Sequence, residues 1–181
     1  MNIVLVGYRC SGKTCVGERL ARHLKRIFVD TDRLIEEKTG IDIPSYVSQK
    51  GWKAFRRAER EVVREVSTRD NRVIATGGGV VVDEENVKEL RKTGWVVWLA
   101  AGAPFIRERM KHAQQQGDMR PALSGDDPLE EIETILQKRA PIYEKASDFK
   151  VDTDGRPPKE VEWAILKALP PGLEEPMREG F

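Results

Sequence analysis

The sequence predicts an α/β fold in which helices cover both faces of a central parallel five-stranded sheet, a three-layer α/β/α arrangement. Three observations predict it: 181 residues suit one domain, the short apolar runs show no strict alternation, and segments of helical periodicity separate those runs. Such runs are typical of parallel strands that are buried on both faces. The five predicted strands are Asn2–Val6, Ile27–Asp30, Val73–Thr76, Trp95–Leu99 and Phe149–Asp152.

Helical spacing of apolar residues marks the segments between the strands. In Thr14–Arg26, the residues Val16, Leu20 and Leu24 recur every four positions, which puts them on one face of a helix. Asp83 is of a residue type that commonly caps a helix N-terminus. The other predicted helices are Trp52–Ser67, Glu84–Lys92, Pro104 to about His112, and Pro128–Lys145 with a kink or break near Pro141.

Two segments depart from this alternation, and residues 1–169 are predicted to form a single domain. Residues 114–127 (QQQGDMRPALSGDD) are polar and lack a helical period. A structureless loop of this length is uncommon in a compact domain unless it works as a lid, so a mobile lid is predicted over about residues 114–125. Residues 170–181 (PPGLEEPMREGF) are rich in proline and charge and are predicted to be a flexible tail.

The composition excludes several function classes. Lys and Arg total 31 and Asp and Glu total 30, so the net charge of +1 argues against a nucleic-acid coat or a polybasic membrane binder. No apolar run approaches a membrane span, and the first residues do not resemble a secretory signal. The spacing of Cys10 and Cys15 matches no zinc site. We therefore expect a cytoplasmic protein with reduced thiols that binds neither nucleic acid nor membrane.

One motif carries a specific chemistry. Residues 7–14 (GYRCSGKT) match the pattern GxxxxGK(S/T) between a predicted strand and a predicted helix, which is the context of a phosphate-binding P-loop. Gly7 and Gly12 let backbone N–H groups approach an anion at the helix N-terminus. Lys13 can reach the β- and γ-phosphates, and the Thr14 hydroxyl can ligate Mg²⁺. Arg9 is interpreted as a solvated side chain rather than as a nucleotide contact.

Two carboxylates follow the second predicted strand, in Asp30-Thr31-Asp32. Ligands of open parallel sheets bind outside the carboxyl ends of the strands, so this is where an acceptor is to be sought. Asp30 could hold Mg²⁺ through water, and Asp32 could take a proton from an acceptor hydroxyl. The alternative is that one of the two only caps the helix that follows.

Three further patterns suggest an acceptor pocket, although each has a structural alternative. Gly77–Gly79 would let a ligand lie on bare backbone N–H groups, unless the triplet is only a flexible turn. Arg56 and Glu59 share a helix face, where Arg56 could clamp a carboxylate and Glu59 could orient it. Arg120, in the predicted lid, could neutralise a transferring phosphoryl group. Arg139 stands close before Pro141; taken alone, each of these arginines fits an exposed surface.

Taken together, the motifs resemble the shikimate kinase family. The P-loop, DTD, FRxxE, GGG, RP in the lid, RxPxY and a final VDT occur in this order over about residues 1–168. The resemblance implies a P-loop NTPase fold of the nucleoside monophosphate kinase type with a mobile lid. It also implies transfer of the γ-phosphoryl group of ATP to the 3-hydroxyl of shikimate, with Mg²⁺ as cofactor and shikimate and ATP as ligands, by a chain expected to be a monomer.

The resemblance also implies residue roles. Catalysis would rest on Asp32, Lys13 and Arg120. The shikimate pocket would comprise Asp32, Arg56, Glu59, Gly78, Gly79 and Arg139. The nucleotide would contact Gly7, Cys10, Ser11, Gly12, Lys13, Thr14, Cys15, Arg109, Arg120 and Arg156. Of the two arginines expected against the adenine, Arg156 matches the family better than Arg109. Thr14 and Asp30 would bind the metal ion. Two rival functions remain at this point: a P-loop kinase for another hydroxylated acid such as gluconate, and a nucleotide-binding regulator without turnover.

Overall fold

A computed structural model describes residues 1–117, 122–123 and 127–174 of the chain. Five parallel strands form one sheet in the order β2-β3-β1-β4-β5, which confirms the predicted fold class. Each predicted strand exists, and no boundary differs from its prediction by more than one residue. The strands are β1 Asn2–Val6, β2 Ile27–Asp30, β3 Arg72–Ala75, β4 Gly94–Ala100 and β5 Phe149–Asp152.

The central strand β1 shows why the apolar runs are continuous. All five of its residues are buried, because β3 and β4 flank it and helices cover both sheet faces. The helices are α1 Lys13–His23, α2 Thr31–Thr39, α3 Ile43–Ser67, α4 Glu84–Thr93, α5 Ala103–Gln115, α6 Ile132–Ala146 and α7 Pro158–Lys167, with a 3-10 turn at Val80–Val82.

Two apolar cores fill the space between the layers. Helices α1 and α7 pack on one face, where Leu20 and Ile165 are fully buried against the sheet. Helices α3, α4 and α6 cover the other face, where Val63, Leu90 and Tyr143 are buried. A third, smaller apolar cluster joins α5 to the first part of α6 and includes Tyr8 of the loop after β1.

The helices differ from their predictions at ends and bends. Helix α3 spans Ile43–Ser67 but is interrupted at Gly51, whose φ of 79° and ψ of 164° are not helical, so the predicted helix from Trp52 is its second part. The first part was not predicted, and the Asp42 carboxylate caps it by accepting from the Ser45 N–H at 2.8 Å. Helix α6 begins at Ile132 rather than Pro128, and it continues through Pro141 without a break. Helix α7 was not predicted.

The predicted lid and tail fall partly outside the described residues. Helix α5 extends to Gln115, into the polar segment, and only parts of the rest of that segment are described. Beyond Leu169 the chain is still packed, because Leu173 is buried and its carbonyl accepts from the Arg26 guanidinium at 2.8 Å. Within the described ranges, no helix is long and apolar enough to cross a membrane.

Candidate active site

The P-loop forms a closed turn between β1 and α1. Its Lys13 ammonium is buried and donates to the carbonyls of Gly7 at 2.9 Å and Tyr8 at 2.8 Å. Gly12 precedes α1 with a φ of 98°, which favours glycine. A Cβ on Gly7 would lie 2.5 Å from the Leu99 carbonyl oxygen, so only glycine lets the loop leave the sheet here. The Lys13 ammonium is therefore hydrogen-bonded to carbonyls of its own loop, and a bound phosphate could compete with these carbonyls for it.

A cavity of about 290 Å³ opens beside this loop. The positive end of the α1 dipole lies at the same place, which favours an anion. The lining residues are Arg9, Cys10, Gly12, Lys13, Thr14, Cys15, Asp30, Asp32, Thr76, Gly78 and Arg109. We call this the phosphate pocket.

Asp30 joins α1 to α2 with its two carboxylate oxygens. Oδ2 accepts from the Thr14 hydroxyl at 2.9 Å, whereas Oδ1 accepts from the Asp32 N–H at 3.0 Å and caps α2. The sequence left open whether Asp30 caps a helix or faces the P-loop, and it does both. A hydroxyl and a carboxylate at the edge of the phosphate pocket are hard oxygen ligands of the kind that Mg²⁺ prefers. Within the described residues, no group of three or more His, Cys, Asp or Glu side chains is placed to hold a metal ion.

A second pocket lies on the far side of Asp32. It draws residues from the P-loop, α2, α3, the glycine triplet and α6, and its walls are Tyr8, Arg9, Asp32, Ile43, Trp52, Phe55, Arg56, Glu59, Gly77, Gly78, Gly79, Leu123 and Arg139. Three of these residues, Arg9, Asp32 and Gly78, also line the phosphate pocket. The two pockets therefore adjoin, with Asp32 in the wall between them. We call the second one the acceptor pocket.

Arg56 is held in the acceptor pocket by neighbours on its own helix. Its Nη1 donates to Glu59 Oε2 at 2.7 Å, and its guanidinium lies 5.5 Å from the ring centroid of Trp52 and 5.3 Å from that of Phe55. Glu59 is almost fully buried. Burial raises the pKa of its carboxyl above the ordinary value, although the positive charge of Arg56 opposes this rise, and the nearby Asp32 adds to it.

The glycine triplet makes room for the charged residues of the site. A Cβ on Gly77 would lie 2.7 Å from Asp32 Oδ1, and one on Gly79 would lie 2.7 Å from Arg56 Nη1. The Gly78 carbonyl accepts from Arg139 Nη1 at 3.2 Å and from the Tyr143 hydroxyl. The glycines thus leave space for the side chains of Asp32 and Arg56. The sequence analysis had expected only that a ligand would lie on the glycine backbone, and it did not include this packing reason.

Tyr143 supports the same carbonyl from the core. It is fully buried, stacks on Trp98 with ring centroids 5.7 Å apart, and burial raises its pKa to about 12. The hydroxyl therefore stays protonated at neutral pH and remains a donor to Gly78. In the RxPxY pattern, the arginine and the tyrosine reach one glycine carbonyl, because positions four apart share a helix face.

Comparison with known proteins decides the family. A model of the family described as shikimate kinase matches residues 9–170. The chain belongs to the shikimate kinase family. It is 45% identical over 166 residues to the shikimate kinase of Thermodesulfovibrio yellowstonii, covering 92% of this chain and 93% of that one. The shikimate kinase of Symbiobacterium thermophilum is also 45% identical, over 93% of this chain and 96% of its own.

A solved structure of the family has the same fold. The shikimate kinase from Acinetobacter baumannii in complex with shikimate superposes with a TM-score of 0.85. It is 33% identical in sequence and covers 92% of this chain and 91% of its own. The family resemblance drawn from the motifs is thereby confirmed.

The acceptor pocket collects every residue predicted for the shikimate site: Asp32, Arg56, Glu59, Gly78, Gly79 and Arg139. Most of the predicted nucleotide contacts likewise line the phosphate pocket, and Gly7 and Ser11 belong to the same loop. Arg120 lies outside the described residues. The individual roles of these residues remain predictions.

The two arginines predicted at the adenine are placed differently. Arg109 lines the phosphate pocket and donates to the Thr153 carbonyl at 2.7 Å and the Cys10 carbonyl at 3.4 Å. Arg156 lies at the turn between β5 and α7, where it donates to the Asp152 carbonyl at 3.1 Å. It is not among the residues that line the phosphate pocket. Arg109, rather than Arg156, therefore lies at the P-loop.

Sequence reasoning missed several residues of the shikimate kinase site. The interpretation of Arg9 as solvated is wrong, because the side chain is only 9% exposed and forms an ion pair with Glu131. No local pattern pointed to this partner, which is more than a hundred residues away. Trp52, by contrast, stands one turn before Arg56 and could have been assigned to the same face.

Proposed function

We propose that the chain transfers the γ-phosphoryl group of ATP to the 3-hydroxyl of shikimate. The observation that carries this proposal is that Asp32 lines both the P-loop pocket and the pocket that contains Arg56 and Arg139. Phosphoryl transfer needs positioning and charge neutralisation more than covalent help, and adjoining pockets provide the positioning.

In the acceptor pocket, Arg56 and Arg139 would bind the shikimate carboxylate. A guanidinium fork matches a carboxylate in two parallel hydrogen bonds, and Arg56 is already oriented by Glu59. Arg139 is oriented by the Gly78 carbonyl. The ring of shikimate would lie along Gly79 and the aromatic wall formed by Trp52 and Phe55.

At the wall between the pockets, Asp32 would act as the general base. Its carboxylate would accept the proton of the 3-hydroxyl while the bond between that oxygen and the γ-phosphorus forms and the bond to ADP breaks. Its place in both pockets lets one side chain face the acceptor hydroxyl and the incoming phosphoryl group. The gluconate alternative would not need this combination of Arg56, Gly79 and Arg139.

In the phosphate pocket, Lys13 would leave the carbonyls of Gly7 and Tyr8 and neutralise the β- and γ-phosphates. Thr14 and Asp30 would hold Mg²⁺, which would supply positive charge between the phosphates. Arg120 would close over the phosphates. Arg109, which lines the phosphate pocket, and Arg156 would contact the adenine.

We further propose that the chain acts as a monomer in the cytoplasm. Cys10 and Cys15 carry thiols rather than a disulfide, as expected in a reducing compartment. Gel filtration with light scattering tests the first part, since a monomer elutes with the mass of one 20.5 kDa chain. Elution at twice that mass would contradict it.

A turnover screen tests the function. The chain is incubated with ATP and Mg²⁺ and with either shikimate or gluconate, and the products are identified by phosphorus NMR. We expect a phosphate monoester of shikimate and no product from gluconate. Turnover of gluconate alone would support the rival kinase, and nucleotide binding without turnover of either acid would support a regulator.

A further inference from the structure

A third cavity, of about 540 Å³, opens where the carboxyl ends of β4 and β5 meet α5 and α6. This volume lies in the range of sites that bind small molecules. Among the described residues, it shares only Tyr8 with the acceptor pocket and none with the phosphate pocket. We call it the edge cavity and define it by Trp98, Ala100, Leu136, Ala140, Lys150 and Asp152.

The register of the two strands explains what lies on the floor of the edge cavity. Trp98 pairs with Lys150, and Ala100 pairs with Asp152, in the parallel ladder of β4 and β5. Residues two apart on a strand point to the same face of the sheet, so these four side chains lie on one face. An aromatic ring, an ammonium group and a carboxylate are thereby neighbours at the edge strand β5.

The Trp98 ring already holds a cation. The Lys150 Nζ lies 4.4 Å from the ring centroid, which is the distance of a cation–π contact. Lys150 is exposed, and in the part of the chain that the structure describes its ammonium forms no ion pair with a carboxylate. The ring, rather than an opposite charge, therefore holds this ammonium, and the position shows that the cavity accepts a positive group at Trp98.

Negative charge exceeds positive charge along the walls. Three carboxylates line the edge cavity, from Glu133, Asp152 and Asp154, whereas its one cation is Lys150. Both oxygens of Asp154 accept from the Gly102 N–H, at 2.9 and 3.1 Å, and Asp152 Oδ1 accepts from the Asp154 N–H at 2.9 Å. These backbone donors orient the two carboxylates without neutralising them. A concave site with an excess of one charge raises the local concentration of the opposite ion.

The rest of the wall is apolar and includes one unsatisfied hydroxyl. The alanines of the β4–α5 segment and Leu136 of α6 offer a flat surface of small apolar groups. Tyr8 is 2% exposed, and its hydroxyl has no hydrogen-bond partner among the described residues. A buried hydroxyl without a partner is rare, and its oxygen can accept from an ammonium N–H.

We propose that the edge cavity binds an organic ammonium ion that has an apolar body, of the arylalkylamine type. Its ammonium group takes the place of Lys150 on the Trp98 ring, beside Asp152, and its apolar body lies on the alanines and Leu136. This inference does not rest on the proposed function, because neither the phosphates nor the acceptor occupy this cavity.

The test uses 2-phenylethylamine as the probe and 3-phenylpropanoate, an anion of similar shape, as its charge control. Binding is followed by NMR of the indole N–H signals, with Trp98→Phe assigning the Trp98 signal. Trp52 lines the acceptor pocket and so reports on that pocket in the same spectrum. We expect the amine to give a saturable shift of the Trp98 signal that persists with MgADP and shikimate present, and the anion to give none.

Two variants have opposite expected effects on the affinity for the amine. Lys150→Ala removes the competing ammonium and should tighten binding about 2–5-fold, the scale of an exposed cation–π contact. Asp152→Asn removes a carboxylate and should weaken binding about 2–5-fold, the scale of an exposed ion pair. Lys159→Ala, an exposed lysine of α7, is the matched control and should change nothing.

Three results would overturn the inference. The first is the lack of a saturable Trp98 shift. The second is a shift at Trp52 that shikimate abolishes, because the amine would then be in the acceptor pocket. The third is weaker or unchanged amine binding in Lys150→Ala, which would mean that the lysine does not occupy the position of the ligand. Turnover of shikimate is measured separately, so failure here leaves the proposed function untouched.

Discussion

The phosphate pocket and the acceptor pocket adjoin but are built in opposite ways. The P-loop cradle comes from one continuous segment between β1 and α1, and its shape rests on backbone groups and on Lys13. The acceptor pocket takes its charges from helices far apart in sequence, and each is fixed by a partner, as Glu59 fixes Arg56. The P-loop cradle is therefore a local structure, whereas the acceptor pocket depends on how the helices α3, α4 and α6 pack on their face of the sheet.

This difference predicts which changes affect which ligand. Changes at Lys13 should act on the nucleotide side, and changes at Arg56 should act on the acceptor side. Asp32 is an exception, as are Arg9 and Gly78, because these three residues line both pockets. The following variants test that division in order of decreasing expected effect.

Lys13→Ala should have the largest effect. It removes the positive charge expected at the phosphates and the hydrogen bonds that close the loop on Gly7 and Tyr8. We expect kcat to fall by about 10³-fold or more, at or beyond the upper end for loss of one charge-stabilising donor. A coupled assay for ADP release measures it, with the exposed Lys88→Ala as control. A near-normal rate would contradict the phosphate role.

Asp32→Asn should lower kcat by at least about 10²-fold, the scale of general base catalysis. The amide retains the size of the side chain but cannot take the proton of the hydroxyl. Steady-state kinetics at saturating ATP and shikimate separate kcat from KM. Glu37→Gln, on the exposed face of the same helix α2, serves as control. A drop of only a few fold would mean that Asp32 orients the acceptor without taking its proton.

Arg56→Ala should weaken shikimate binding by about 2–5 kcal/mol, the usual cost of removing one partner of a buried charge pair. Nucleotide affinity should stay close to its original value. Arg57→Ala is a matched control, because it is the next residue of α3 and its side chain is exposed. Arg56→Lys sharpens the comparison, since it keeps the charge and loses the planar fork.

Gly79→Ala should displace Arg56 without removing it. The added Cβ would stand 2.7 Å from Nη1 of that guanidinium, so the side chain must move. The guanidinium is the movable end of a flexible side chain, so we expect the fold to be retained and KM for shikimate to rise roughly 10-fold, the scale of one weakened hydrogen bond to a charged group, with little change for ATP. If KM for shikimate were unchanged, the glycine would not be required for the position of Arg56.

Glu59→Gln should produce the smallest effect, visible in the pH dependence of stability. The pKa of Glu59 is raised in the folded chain, so its favourable contribution is complete below its ordinary value of 4.5 and is lost as pH rises through the raised value. The free energy of unfolding of the unmodified chain, relative to Glu59→Gln, should therefore decrease from pH 4.5 towards neutral pH. Denaturant unfolding of ligand-free protein measures this difference, and an increase with pH would contradict the assignment.

The two pockets also differ in how much the sequence predicted. The P-loop turn was predicted because it is one contiguous pattern, GYRCSGKT, between a strand and a helix, although Arg9 within it was misinterpreted. The five strands were predicted for a similar reason, since burial on both faces leaves an apolar run that is read without tertiary information.

The acceptor pocket was predicted as a set of residues but not as a geometry. The family motifs named Arg56, Arg139 and Gly79, whereas the contact that makes Gly79 necessary depends on how α3 packs on the glycine triplet. The partner of Arg9 depends on where α6 begins, and that start was wrongly predicted at Pro128. Tertiary contacts of this kind leave no periodic signal in the chain.

The most direct test of the division between the pockets is a crossed titration of two variants. Lys13→Ala and Arg56→Ala are each titrated calorimetrically with MgADP and, separately, with shikimate. We predict that Lys13→Ala loses affinity for the nucleotide and keeps its affinity for shikimate, and that Arg56→Ala shows the reverse. Equal loss of both ligands in Arg56→Ala would contradict the existence of two adjoining sites with separate charges.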